Sequence, residues 1–170
     1  MQLDAAERGF SFQQEGPLDM RMDTTGGVSA EGFLARQTRE QLASLLRTYG
    51  DVKFPGRIAR IITERREAGK LSTTQDLADC VRGAVPRKSM LDDEIRRVFQ
   101  AVRIAVNDEL RGLEQGILAA LEVLRTGGRL VVISFHSGED RIVKRTFRDR
   151  SRAQRILHPD GRVREVRPPS

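Results

Sequence analysis

Thr126-Gly-Gly-Arg-Leu-Val-Val-Ile-Ser-Phe-His-Ser-Gly-Glu-Asp-Arg-Ile-Val-Lys-Arg-Thr-Phe147 decides how the rest of this chain is read. It runs as turn, strand, polar loop and helix. Gly127 and Gly128 suit a chain reversal because glycine tolerates positive φ. Leu130 to Ile133 is apolar without alternation, the pattern of a strand covered on both faces in a parallel sheet. Ser137 precedes Asp140 at a capping-box spacing, which can start the next helix. In open α/β sheets, ligands bind beyond the carboxyl ends of the strands. Ser134, His136 and Ser137 therefore stand where chemistry or binding is expected.

Upstream of this stretch the pattern is helical. Residues 92–125 carry the longest stripe: Ile95, Phe99, Val102 and Val106, then Leu110, Leu113, Ile117, Leu121 and Leu124. Asp92 or Asp93 is the expected cap, and Asn107-Asp108 is either a break or a polar spot on one long helix. Residues 29–85 read as short helices. Thr38 with Gln41 makes a capping box ahead of Leu42, Leu45 and Leu46, and Thr73 with Asp76 opens another helix bearing Leu77, Cys80 and Val81. Residues 1–28 are punctuated by glycine, yet Phe10, Phe12, Leu18, Met20 and Met22 predict a loop packed against something. Residues 150–170 are arginine-rich and predicted to be weakly ordered. The fold read from these patterns is mostly α-helical with a single strand near 129–135. A lone strand cannot satisfy its own backbone when buried, so that strand implies neighbours from outside the pattern.

Composition narrows the class. The 170 residues carry a formal net charge of +6 and 32% charged residues, which favours a polyanionic partner such as rRNA or DNA. Cys80 is the sole cysteine, so no intrachain disulfide or thiolate metal site is available. With His136 and His158 as the only histidines, no metal is expected. No apolar run approaches the roughly 20 residues that cross a bilayer, and the N-terminal residues lack a signal-peptide core. The expected location is the cytoplasm, with no membrane partner.

Four segments together resemble one family: Gln2-Leu-Asp-Ala-Ala-Glu-Arg-Gly-Phe-Ser-Phe12; Gly16-Pro-Leu-Asp-Met-Arg-Met-Asp23; Phe99-Gln-Ala-Val-Arg-Ile-Ala-Val-Asn-Asp-Glu-Leu110; and Gly127 to Ser137 with Glu139-Asp-Arg-Ile-Val-Lys-Arg145. They are similar to the MraW-type enzymes, which methylate the N4 amine of a cytosine in 16S ribosomal RNA with S-adenosylmethionine. The resemblance covers roughly residues 1–149. It implies a Rossmann-like class I methyltransferase with a helical insert. On that reading residues 1–19 are a loop from the methyltransferase core and 20–100 the helical, substrate-recognising insert. Residues 101–149 then return to the core as helix, strand and helix, and 150–170 form a basic tail. No Gly-x-Gly-x-Gly pattern occurs between Met1 and Ser170, so the resemblance places the cofactor half of the fold outside this chain and predicts that the chain alone is inactive. Val52-Lys53 and Asp92-Asp93-Glu94-Ile95 depart from the family pattern.

The site expectations follow. The resemblance makes Gln2 a contact to S-adenosylmethionine and Asn107 a catalytic candidate beside Ser134 and His136. The bland alternative for the Ser-His cluster is helix capping. Arg21, Arg103, Arg141, Lys144 and Arg145 are candidates for contacting RNA; Asp19, Arg21 and Asp23 can equally pair among themselves, and the basic side of 141–148 can equally be a solvated helix face. The implied partner is 16S rRNA or the small ribosomal subunit, with self-association through exposed sheet edges. A non-catalytic, basic, helical RNA-binding module is the competing function.

Overall fold

The two threonine caps act as their spacing requires. Thr38 Oγ1 accepts from the Gln41 amide at 3.2 Å while Gln41 Oε1 accepts from the Thr38 amide at 2.7 Å. Thr73 and Asp76 reciprocate in the same way. In the computed structural model, which describes residues 6–151 and the backbone of 154–157 and 163–167, these caps begin α2 (Arg39–Gly50) and α4 (Thr74–Ala84). The other described helices are α1 (Ala30–Ala35), α3 (Pro55–Glu67), α5 (Leu91–Asn107), α6 (Glu109–Val123) and α7 (Ser137–Ser151). None is long and apolar enough to cross a membrane.

The chain divides at Asp108 into two compact units. In the first, α2 packs against α3 and α5, and α4 against α3 and α5. Leu34, Leu42, Leu46, Ile58, Ile62, Leu77, Val81, Ile95, Val98 and Val102 fill the space between them. The glycine-rich N-terminal loop is part of this core, since Leu18 and Met20 are fully buried. It is stitched to the start of α4 by Leu18 N to Ser72 O (2.9 Å), Thr74 N to Gly16 O (2.9 Å) and Thr74 Oγ1 to Gln14 O (3.1 Å). Gly9 lies at φ +68°, and a Cβ there would run into the Pro17 carbonyl, so the sharp approach of the two loop arms requires glycine.

Two segments that depart from the family pattern meet in space. Glu94, 1% exposed, accepts the Lys53 amide at 3.0 Å, and Arg97 Nη1 donates to Asp51 O at 2.7 Å. The first two turns of α5 thus tie down the α2–α3 junction. Asp92 and Asp93 lie in the first turn, near the positive end of the helix, while Met90 occupies the cap position without a side-chain bond. The 92–125 pattern is two helices: Asp108 adopts φ 50° and its N–H reaches Ile104 O, ending α5 before α6 begins. All of α5 falls in the first unit.

The strand expected near 129–135 does not form. Residues 128–134 pair with no strand among the described residues. A strand is a hydrogen-bonded relation between two segments, and among the described residues no second segment pairs with this one. Side chains there alternate, with Leu130, Val132 and Ser134 partly covered and Val131, Ile133 and Phe135 exposed at 83%, 77% and 91%. The strand pair that does form lies in the tail predicted to be weakly ordered. There β1 (Gln154–Leu157) pairs antiparallel with β2 (Val163–Arg167), with an irregularity between Ile156 and Leu157. In the second unit α6 packs on α7, and Ile117 and Thr146 are its buried residues among those described.

Candidate functional site

Asn107 sits at the last turn of α5 and its amide is committed on both ends. Nδ2 donates to Met20 O at 2.7 Å and to Arg103 O at 2.9 Å, and Oδ1 accepts from Met22 N at 2.7 Å. The carboxamide thus mimics a strand neighbour for Met20 to Met22. Met20 needs such a partner, because it holds φ 58°, a left-handed conformation uncommon for a residue with a Cβ. Arg8 closes the other side: its Nη2 donates to Arg21 O (2.9 Å) and Met22 O (2.8 Å), and its carbonyl accepts from Met20 N (3.0 Å).

Arg21 forms a fork with Asp19, Nε to Oδ1 at 2.6 Å and Nη2 to Oδ2 at 2.9 Å, while Nη1 reaches Thr24 O and Gly26 O. The Arg21 guanidinium holds the Asp19 carboxyl below its ordinary range. Asp23 is likewise lowered, by the Thr25 hydroxyl and amide. Of the candidate residues, the structure brings Arg21, Arg103 and Asn107 to one place, with Asn107 bonded to backbone on both sides of Arg21 and to the carbonyl of Arg103.

Ser134 and His136 lie in the second unit. His136 Nδ1 accepts from the Gly138 amide (3.2 Å) and the Glu139 amide (3.3 Å), so the imidazole caps α7. The cap expected at Ser137 belongs one residue earlier. Nε2 of the same ring faces Glu139 Oε1 at 3.4 Å and is buried without a hydrogen bond among the described residues. Glu139 Oε2 in turn accepts from the Phe135 amide at 2.8 Å. On the basic side of α7, Lys144 pairs with Asp140 at 2.8 Å and Arg145 with Glu114 at 2.9 Å, while Arg141 is exposed. Gln2 lies outside the described residues.

Sequence reasoning missed a concavity of about 340 Å³ lined by Phe10, Ser11, Phe12, Gln13, Arg96, Phe99, Gln100 and Arg103. The signal was there: Arg96, Phe99, Gln100 and Arg103 recur at helical spacing on α5. It was obscured because Phe99 also belongs to the core stripe. Its described lining does not suit S-adenosylmethionine: two guanidiniums repel a sulfonium and an ammonium, and no carboxylate among the described residues is there to take the ribose hydroxyls. Among the described residues no cluster of three His, Cys, Asp or Glu could hold a metal ion.

The model of the MraW methylase family matches residues 1–165. The chain belongs to the MraW methylase family. That family is one of class I methyltransferases. This MraW-family chain is 53% identical over 155 residues to a protein of Methylococcus capsulatus named ribosomal RNA small subunit methyltransferase H, covering 91% of the chain and 52% of that relative. It is 50% identical over 162 residues to the Cupriavidus metallidurans protein of the same name, covering 93% of the chain and 50% of the relative. The MraW-family chain thus spans about half the length of the curated relatives it matches.

Proposed function

We propose that this chain forms the target-handling helical unit and part of the catalytic core of a methyltransferase that modifies the N4 amine of a cytosine in 16S rRNA, with S-adenosylmethionine as donor. The observation that carries the reading is identity at or above one half, across more than nine tenths of the chain, to proteins named for methylating small-subunit rRNA. The chemistry explains what such a chain must do. An exocyclic cytosine amine is a weak nucleophile, because its lone pair is delocalised into the ring. Rate must come from alignment, and the base must leave its stack to be aligned.

In this reading Asn107 and Arg8 hold the Leu18–Met22 loop rigid, so that its outer surface can orient RNA. Arg21, fixed by Asp19, and Arg103 give that surface its positive charge, and Arg141, Lys144 and Arg145 supply phosphate contacts on the second unit. His136 acts by fixing the start of α7, not as a base. The exposed row Val131, Ile133 and Phe135 is a sheet face for helices of the methyltransferase fold to cover, while the unpaired backbone of 128–134 is the edge that meets neighbouring strands, and left open both drive self-association. The chain alone does not transfer methyl groups.

The test is genetic and chemical. Deleting the coding segment for this chain in its host should abolish N4-methylcytidine in digested 16S rRNA, measured by liquid chromatography and mass spectrometry, and returning the gene should restore it. An unchanged amount of that nucleoside after deletion overturns the proposal.

A further inference from the structure

We infer that the concavity between the Phe10–Gln13 arm and α5 is a seat for one unstacked nucleobase of single-stranded RNA, with Arg96 and Arg103 at the flanking phosphates. The inference rests on the RNA reading above and adds a site to it. The lining chemistry carries it. Phe12 stands edge to face with Phe99, ring centroids 5.6 Å apart at 63°, which anchors an aromatic wall on the core. Phe10 has the Arg8 guanidinium over its ring at 5.7 Å, which holds a second ring in place. Gln13, Gln100 and Ser11 offer amides and a hydroxyl that can meet a base edge. Among the described residues the lining contains two arginines, of which Arg96 pairs with the exposed Asp93 at 3.3 Å, and no acidic residue. Aromatic rings beside guanidiniums and amides are the equipment with which proteins hold splayed single-stranded bases. Both Phe10 and Phe12 remain partly exposed although they pack against the core, so ring surface is available to a ligand. The arm is also preset: Gly9 and Pro17 fix its approach, and Arg8 is tied to the Arg21 and Met22 carbonyls. A base entering it therefore meets a formed wall and orders little chain.

The experiment titrates a fluorescently labelled single-stranded RNA 12-mer with the full chain at low salt and reads anisotropy. Phe12→Leu and Phe10→Leu should each weaken binding about tenfold. Arg96→Gln with Arg103→Gln should flatten the dependence of log affinity on log salt by about 1.4, roughly 0.7 for each phosphate released from a single strand. Because Phe12 packs on the core, a second measurement uses the unaltered chain. A 4-thiouridine crosslink should map by mass spectrometry to residues 10–13 or 96–103. RNA binding that all four substitutions leave within twofold, or crosslinks confined to other segments, overturns the seat while leaving the methylation reading standing. No binding by the unaltered chain overturns it too. The methylation reading fails only if N4-methylcytidine persists after deletion of the gene.

Discussion

Asn107 bonds to three backbone groups, and two of its partners lie 85 and 87 positions away. Asn107→Ala removes all three bonds and leaves the left-handed Met20 with the Arg8 carbonyl as its remaining backbone partner. We expect a loss of about 1–3 kcal/mol in urea unfolding, with Asn107→Asp recovering little because it cannot donate to Met20 O. The carboxylates at Asp19 and Asp76 set an acid limit. Arg21 lowers Asp19; at Asp76 burial raises the pKa, but the Ser72 and Thr73 amides and the Thr73 hydroxyl outweigh it and the net shift is downward. A carboxyl depressed on folding stabilises fully above its unfolded pKa, about 3.9, and loses that contribution as pH falls through the folded value. Thermal melts should therefore hold steady above about pH 5 and drop below about pH 4. Asp76→Asn should start from a lower melting temperature and show a shallower drop. The sequence made the local partners readable, Thr38 with Gln41 and Asp19 with Arg21, because they lie within three residues of each other. It concealed the Asn107 clamp, whose partners are adjacent only after α5 has packed.

Helices were legible because the 3.6-residue period and the threonine caps lie within each segment. The break at Asp108 was visible as an alternative and was decided by the backbone turning left-handed there. The strand near 129–135 was misread because Leu130 to Ile133 records a preference for extended, covered backbone, whereas pairing depends on a second segment. At α7 the capping residue was displaced by one, since a histidine nitrogen can accept what a serine hydroxyl usually takes. This gives a clean separation of roles. His136→Ala should destabilise the start of α7 by about 1 kcal/mol, seen as faster hydrogen exchange at the amides of residues 138–142. His136→Asn, a good cap, should restore protection. If methylation by the whole enzyme returns with the asparagine, the imidazole is not needed for proton transfer.

The two units differ in how much they bury. Every residue of the main apolar cluster lies between Leu18 and Val102, while 109–151 contributes Ile117 and Thr146 to the buried set. Hydrogen exchange should protect α2 and α5 far longer than α6 and α7; equal protection across Asp108 would count against two units of unequal stability. Cys80 offers a second gauge. Fully buried between α4 and its neighbours, with burial pushing its thiol up to about 12, it should react with iodoacetamide only as the first unit opens, and the rate should rise with urea. At this scale the charge and the helical majority were readable from composition, whereas the division at Asp108 depends on which stripes meet. It also bears on inheritance. Since the cluster ends before Asp108, a recombination event at that codon would carry the helical unit into a new gene with its interior intact, which makes the segment up to Asp108 a natural cassette for transplantation between enzymes.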